Sequence, residues 1–306
     1  MLRSAILAAS RNPRVKALVA GAPLSGAVVR RFVSGEAVED AVRTTRALQQ
    51  TGLRVSLDHL GEDTRDAGQA ESTVKAYLLL LDRLAGAGLT GGGRSEVSVK
   101  LTAVGQSLDA GLALDNARTI CEAARAADST VTLDMEDHTT TDATLSALTA
   151  LRRDFPDTGA VLQSYLHRTE ADCRDLVGAG SRVRLCKGAY REPAPVAYQS
   201  AADVDRSYVR CLRVLMAGEG YPMVATHDPR LVAIAGALAR HRPQGSYEYQ
   251  MLFGVRTREQ QRLAEAGETV RVYVPYGDEW YGYLMRRLAE RPANLVFFLR
   301  ALASRS

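Results

Sequence analysis

From about residue 53 onward, short runs that alternate apolar and polar positions recur, with longer stretches of helical spacing between them. The runs are RVSL at 54–57, VSVKL at 97–101, TVTLDM at 130–135 and AVLQ at 160–163. RVRLC at 182–186, MVAT at 223–226, YEYQ at 247–250 and VRVYV at 270–274 follow. Between them, stretches such as 72–88, 111–127, 141–153, 202–217 and 228–240 place apolar residues three and four apart, the spacing of an amphipathic helix. Eight strands alternating with helices over about 240 residues predict an α/β fold, a closed (β/α)8 barrel of the TIM type. An open doubly wound sheet is the alternative, because strand count does not show closure. No GxGxxG follows the first strand, which weighs against it. Residues 1–50 carry no clear strand signal, and 12–20 and 36–50 read as helices. The expected division is therefore an N-terminal helical extension, 1–53, packed on a barrel domain, 54–306. TGGGR at 90–94 reads as the loop between the first barrel helix and the second strand.

Side chains on a strand alternate between its faces. Val97, Val99 and Leu101 oppose Ser98 and Lys100; Val131, Leu133 and Met135 oppose Thr130, Thr132 and Asp134. Val183 and Leu185 oppose Arg182 and Arg184, and the three valines of 270–274 oppose Arg271 and Tyr273. The helix-facing side of a barrel strand must be apolar, so the polar set points inward. Lys100, Asp134, Arg184 and Tyr273 then lie near the C-terminal strand ends, where barrel enzymes build their sites. A half-exposed sheet with a wet polar face is the plain alternative, but the intervening amphipathic helices need a sheet to cover. Buried charges without partners cost several kcal/mol in order of magnitude. The inward cations are therefore expected to call for Asp134 and a bound anion.

RVRLCKGAYREP, 182–193, is the most informative segment. Two inward arginines run into a turn in which Lys187 stands beside Gly188, a combination suited to an anion. The last helical stretch, DEWYGYLMRRLAER at 278–291, carries an apolar stripe of Trp280, Leu284 and Leu288 and a polar face of Tyr283, Arg286, Arg287 and Glu290. Adjacent arginines suit a small carboxylate, since guanidinium groups can fork onto both its oxygens. The residues alone leave that reading level with a solvated helix end whose arginines complement the helix dipole.

Composition narrows the class. The 306-residue chain is 46% hydrophobic and 24% charged with a net charge of +4, ordinary values for a globular protein that give no reason to expect nucleic acid. Cys121, Cys173, Cys186 and Cys211 form no CxxC pair. That argues against a zinc ribbon or disulfide scaffold and points to a reducing, cytoplasmic compartment. Ser4–Ser10 is too short an apolar run for a signal peptide. No stretch approaches the roughly 20 apolar residues of a membrane span.

Taken together, VSVKLTAVG (97–105), TLDMED (132–137), VLQSYL (161–166), RVRLCKGAYREP (182–193), ATHDP (225–229), YEYQMLFG (247–254) and RVYVPYG…YLMRRLAE (271–290) resemble the FAD-dependent proline dehydrogenases. The resemblance runs from about residue 54 to 300, and its motifs stand in the family's order at strand ends. It implies that Arg286 and Arg287 hold the carboxylate of L-proline, with Lys100 as a third cation and Glu290 positioning the arginine helix. Asp134 is expected to pair with Arg286, and Tyr273, Tyr283 and Leu185 to pack on the substrate ring. Asp134 and Arg184 carry the catalytic expectation, with Arg184 close to flavin N5 and Met135 and Gln163 along the isoalloxazine edge. Lys187, Gly188, Ala189 and Tyr190 match the turn at the cofactor's phosphate and ribose, and Thr226, His227 and Gln250 match further cofactor contacts. Arg182, one pleat deeper, is expected to be structural.

The resemblance further implies hydride transfer from proline C5 to flavin N5, giving Δ1-pyrroline-5-carboxylate, the first step of proline catabolism. It implies electron transfer to a quinone-type acceptor, with peripheral contact at the inner face of the membrane. The product would pass to a separate pyrroline-5-carboxylate dehydrogenase. Arg191 stands where some relatives carry an aromatic residue, which leaves the packing on the adenine side open. Two rivals are hydroxyproline oxidation, against which Tyr273 argues, and a metal-dependent hydrolase using Asp58, His59, His138 and His227. The latter lacks an HxH pair, so no metal is expected.

Overall fold

A computed structural model describes residues 29–61 and 64–290, with side chains to 285. Eight parallel strands close into a barrel in sequence order. They are β1 (Arg54–His59), β2 (Ser95–Val99), β3 (Thr130–Leu133), β4 (Gly159–Gln163), β5 (Arg182–Cys186), β6 (Tyr221–Ala225), β7 (Glu248–Leu252) and β8 (Val270–Tyr276). Closure is made by β8 on β1, with Val55 opposite Val272 and Leu57 opposite Val274. All eight expected strands are present. The differences lie at their ends: β2 begins at Ser95 rather than Val97 and so takes in Glu96, while β3 stops at Leu133, leaving Asp134 as the first residue of the loop.

Among the described residues from 33 on, the helices of more than three residues are α1 (Val38–Gln50), α2 (Ala67–Gly86), α3 (Ala110–Ala126), α4 (Thr141–Leu151), α5 (Thr169–Asp175), α6 (Ala201–Ala217), α7 (Pro229–Leu238), α8 (Thr257–Glu265) and α9 (Trp280–Glu290). Several begin with a side-chain cap, which satisfies an otherwise orphaned backbone N–H for about 1 kcal/mol each. Asp66 accepts from Gln69 N, Asp109 from Leu112 N, Ser200 from Asp203 N and Asp228 from Arg230 N. The stripe of α2, Ala70, Val74, Tyr77, Leu81 and Leu84, is buried against the strands. Tyr77 does more than fill space, since its hydroxyl donates to the Ser98 carbonyl at 2.7 Å and accepts from the His59 N–H at 3.2 Å. It thus ties the C-terminal ends of β1 and β2 to one helix.

The segment expected to be helical at 36–50 is α1. It packs on β1, β8 and α2, the place in the outer ring between the last and first strands. Its C-terminal end is held by Gln49, whose amide donates to the Leu89 carbonyl and the Ser95 hydroxyl at 2.8 and 2.9 Å. Ahead of it, Ser34 N donates to the Pro275 carbonyl and Gly277 N to the Gly35 carbonyl, both at 3.0 Å. The Trp280 indole at the start of α9 donates to Glu36 at 2.8 Å. The helix expected at 12–20 lies outside the described residues. Among the described residues no helix is long and apolar enough to cross a membrane.

Candidate active site at the barrel mouth

The inward faces of the strands form a polar column. At its floor, Glu96 of β2 is fully buried and accepts from Arg182, from Arg184 Nη2 at 2.9 Å, and lies 3.8 Å from Arg271. Arg271 also binds Glu248 at 2.7 Å through Nε and 3.0 Å through Nη2. Burial alone would raise the Glu96 carboxyl, but Arg271, Arg182 and Arg184 outweigh it and hold it far below the usual carboxylate range. Glu248 is depressed in the same way, burial being outweighed chiefly by Arg271.

Arg184 connects floor and mouth. Nε donates to Gln250 Oε1 at 2.5 Å, Nη1 to Ser98 Oγ and Asp134 Oδ1 at 2.8 Å each, and Nη2 to Ser56 Oγ at 3.1 Å and Glu96 Oε1 at 2.9 Å. A guanidinium has five N–H groups, so each has a protein acceptor. The same guanidinium lies 5.3 Å from the centre of the Tyr273 ring.

At the mouth the groups converge on Asp134. Oδ1 accepts from Arg184 and from Ser98 at 2.7 Å, and Oδ2 accepts from Tyr273 at 2.7 Å. Lys100 Nζ stands 3.5 Å from Asp134 Oδ2 and donates to Asp58 Oδ2 at 2.8 Å. Burial would raise the Asp134 carboxyl, but Lys100 and Arg184 prevail and lower it. Asp58 shows the opposite balance: burial outweighs Lys100, and its carboxyl is raised. The Tyr273 hydroxyl is raised well above 10 by burial and then by Asp134, so it remains a donor.

Lys100, Asp134, Arg184 and Tyr273 therefore come together as expected. Departing from the sequence reading, the inward cations meet carboxylates beyond Asp134. Among the described residues the column holds four cations (Arg182, Arg184, Arg271 and Lys100) and four carboxylates (Glu96, Glu248, Asp58 and Asp134). The protein's own acids satisfy them. Arg182 binds Glu96, Thr130 and the Asp157 carbonyl and is structural. Leu185 departs from expectation as well: it is fully buried in the apolar core, on the face opposite Arg184, and α6 reaches its carbonyl through Tyr208 Oη at 3.1 Å. It is not presented at the mouth. Tyr283 is buried at the second turn of α9. Arg286, Arg287 and Glu290 are on α9, with side chains outside the described residues, so the expected pairing of Asp134 with Arg286 lies there too.

Beside the mouth, the loop after β5 is pinned from β4. Tyr165 N donates to the Lys187 carbonyl and Ser164 N to the Cys186 carbonyl, at 2.9 and 2.8 Å. Gly188 has φ +111°, and a Cβ there would lie 2.5 Å from the Tyr165 ring; only glycine combines that backbone with that approach. Further along, the buried Glu192 carboxylate accepts from His138 N at 2.9 Å, from the His138 ring, and from Tyr165 Oη at 3.2 Å. Lys187 is half-exposed and binds Asp205 at 2.5 Å and Asp228 at 3.2 Å. Ala189 is exposed and Tyr190 half-buried. Gln163 donates to the Glu136 carbonyl at 2.7 Å, and Met135 is buried beside it in sequence terms, one residue past Asp134. Thr226 Oγ1 accepts from Asp228 N at 3.1 Å. His227 Nε2 accepts from Leu252 N at 2.9 Å, which places the ring proton of neutral His227 on Nδ1. Gln250 is spent inside the column, on Arg184 and on Glu248 at 2.6 Å.

A flavin nucleotide fits this donor set. The Ser164 hydroxyl is buried with no hydrogen-bond partner among the described residues, next to Gln163 and on a residue whose backbone N–H binds the Cys186 carbonyl. Lys187 supplies a cation at the solvent edge. Sequence reasoning missed Ser164, Tyr165, Glu192, Glu96 and Glu248, and considered Asp58 only for a metal. The period of two would have found Glu96 with Ser98 and Lys100, and Glu248 with Gln250. Nothing local marks Glu192, whose partners are distant in sequence.

A closed parallel barrel with a lysine, paired carboxylates and a tyrosine at its C-terminal mouth is the build of a barrel enzyme that works on a ligand seated there. The sequence model of the proline dehydrogenase family matches residues 41–300. Proline dehydrogenase 1 of Bacillus subtilis is 37% identical over 306 residues, covering 99% of each chain. The proline dehydrogenase of Deinococcus radiodurans is 37% identical over 309 residues, covering 99% of this chain and 98% of its own. Among solved structures, proline utilization A (PutA) from Bdellovibrio bacteriovorus, inactivated by N-propargylglycine, superposes with a TM-score of 0.79 at 24% identity. That match covers 86% of this chain and 32% of the other, so this chain spans about a third of that protein, and the likeness speaks for the fold. The chain belongs to the proline dehydrogenase family. Membership implies a flavin cofactor in general terms.

Proposed function

We propose that this chain oxidises L-proline to Δ1-pyrroline-5-carboxylate using bound FAD. The observation that carries the reading is the Asp134 cluster at the mouth of the barrel, formed by residues that lie within the span matched by the family model. The flavin, when bound, supplies the oxidising power by accepting a hydride from substrate C5. Arg286 and Arg287 are assigned to the substrate carboxylate, and Tyr273 and Tyr283 to its ring. Asp134 fixes Tyr273 through the hydroxyl, and Arg184 fixes Asp134 while committing its own donors to the protein. Lys100 brings a cation to the mouth. Gln163, Met135, Ser164 and the Lys187–Tyr190 turn are assigned to the cofactor, with Thr226 and His227 along the adjoining loop. Orientation of this kind is the largest contribution such residues can make to the rate.

In this reading residues 54–306 form the catalytic domain and 1–53 the extension, whose helix α1 completes the ring. A quinone-type acceptor at the inner membrane face and a separate pyrroline-5-carboxylate dehydrogenase complete the reaction sequence. The absorption spectrum of the purified protein tests the proposal. A yellow protein bleached by proline under anaerobic conditions is expected. Hydroxyproline bleaching faster than proline shifts the substrate, and a colourless protein that takes up no added FAD overturns the reading.

A further inference from the structure

Asp58 is fully buried at the end of β1, and one of its oxygens, Oδ1, has no hydrogen-bond partner among the described residues. The other receives the Lys100 ammonium at 2.8 Å, a shorter contact than the 3.5 Å from Lys100 to Asp134. A carboxylate so placed is more than a structural counter-ion. Asp134 is saturated by Arg184, Ser98 and Tyr273, whereas Asp58 carries unused acceptor capacity directly behind a lysine at the mouth. Oxidising a cyclic secondary amine removes a proton from nitrogen as well as a hydride from carbon, so the site must place a proton somewhere.

We propose that Asp58 is a positioning residue for this reaction: it holds the Lys100 ammonium at the mouth and takes one of its protons as Lys100 receives the proton lost by the substrate's ring nitrogen. The inference rests on the proline-oxidation reading above. In the step, an N–H bond of the substrate ammonium breaks and an Nζ–H bond forms on Lys100. Another Lys100 Nζ–H bond breaks, and an O–H bond forms on Asp58. The ring nitrogen keeps the electron pair, which becomes the second bond of C=N as C5 loses its hydride to the flavin. Lys100 ends as it began, an ammonium, and Asp58 ends neutral.

The surroundings suit this exchange. The groups that act on Asp58 are Lys100 after β2, Asp134 after β3, Tyr273 and Tyr276 on β8, and Tyr77 on α2. Burial raises its carboxyl despite Lys100, and Asp134 adds to the rise. Tyr77, Tyr273 and Tyr276 are all raised by burial and stay neutral. The neighbouring His59 is lowered by burial, with Asp278 opposing that shift.

The test pairs kinetics with spectroscopy on the FAD-loaded enzyme. Asp58→Asn is expected to lower kcat/KM for proline about 100-fold at neutral pH, the lower range for losing proton-transfer assistance. The deficit should shrink as pH rises toward the range where free proline loses its own amine proton, and Asp58→Glu should recover part of the activity. The infrared difference spectrum of the wild-type enzyme reduced by proline should gain a protonated-carboxyl band that Asp58→Asn lacks. A deficit equal at every pH, or a wild-type difference spectrum without that band, overturns the proposal. The spectrum keeps it testable should the variant fold poorly. A wild-type protein that proline does not bleach sinks the underlying function instead.

Discussion

At the scale of single residues, the mouth separates groups that bind from groups that hold others in place. Arg184 is the clearest holder, because five protein acceptors use its five N–H groups. The carboxylate clamp is accordingly assigned to Arg286 and Arg287. Arg286→Met and Arg287→Met are each expected to raise the proline KM at least tenfold, a loss of about 1.4 kcal/mol or more. Steady-state kinetics check this, and unchanged constants in both variants remove the clamp. Gly188 makes a separate demand. Alanine there meets the Tyr165 ring at 2.5 Å and must also hold φ +111°, which costs roughly 1–2 kcal/mol in backbone conformation alone. Gly188→Ala is expected to weaken FAD retention about tenfold or more, read by equilibrium dialysis against the wild-type protein. Equal retention would mean the turn does not form part of the cofactor site.

At the scale of elements, the strands were legible because period-2 alternation survives wherever one face meets helices. Val97, Val99 and Leu101 against Ser98 and Lys100 fixed both the strand and its direction of pointing. The partners of the inward cations were less legible, for a physical reason. A list of inward cations cannot show which carboxylates from other strands reach them, and Glu96 and Glu248 were missed at the strand margins. Leu185 failed similarly, since a resemblance assigned it to the substrate while its own alternation assigned it to the helices. α5 and α8, of 7 and 9 residues, are too short for their apolar spacing to stand out. Tyr77 on α2 could be read from sequence only as a buried aromatic, not as the tie between β1 and β2. Tyr77→Phe removes the bond to the Ser98 carbonyl and leaves both that group and the His59 N–H without it. Urea unfolding is expected to show a loss of about 1–3 kcal/mol. A neutral result would show that the tie does not bear on stability.

For the whole molecule, the interior of the barrel is a charge lattice rather than an apolar core, and its stability must depend on pH in a definite sense. Glu96, Glu248 and Asp134 are all held below their ordinary values. Depressed carboxyls contribute stability that is complete above their unfolded pKa values, about 4, and lost as pH falls toward the folded ones. Asp58 works the other way, being raised, and it recovers a little stability in acid. Three depressed groups against one raised group predict a melting temperature that is flat from neutral pH to about 5 and falls below about 4. Glu96 is the keystone, because Arg182, Arg184 and Arg271 all face it. Glu96→Gln leaves the buried Arg184 and Arg271 and the partly buried Arg182 short of an anion and is expected to cost roughly 3–5 kcal/mol at neutral pH. Because the variant cannot take up the proton that the wild-type carboxylate must accept in acid, the gap between the two proteins should be constant above about pH 5 and narrow below about pH 4. Melting curves recorded across that range decide the matter: a gap that stays the same at pH 3 and pH 7 would show that Glu96 acts through its shape and not through its charge.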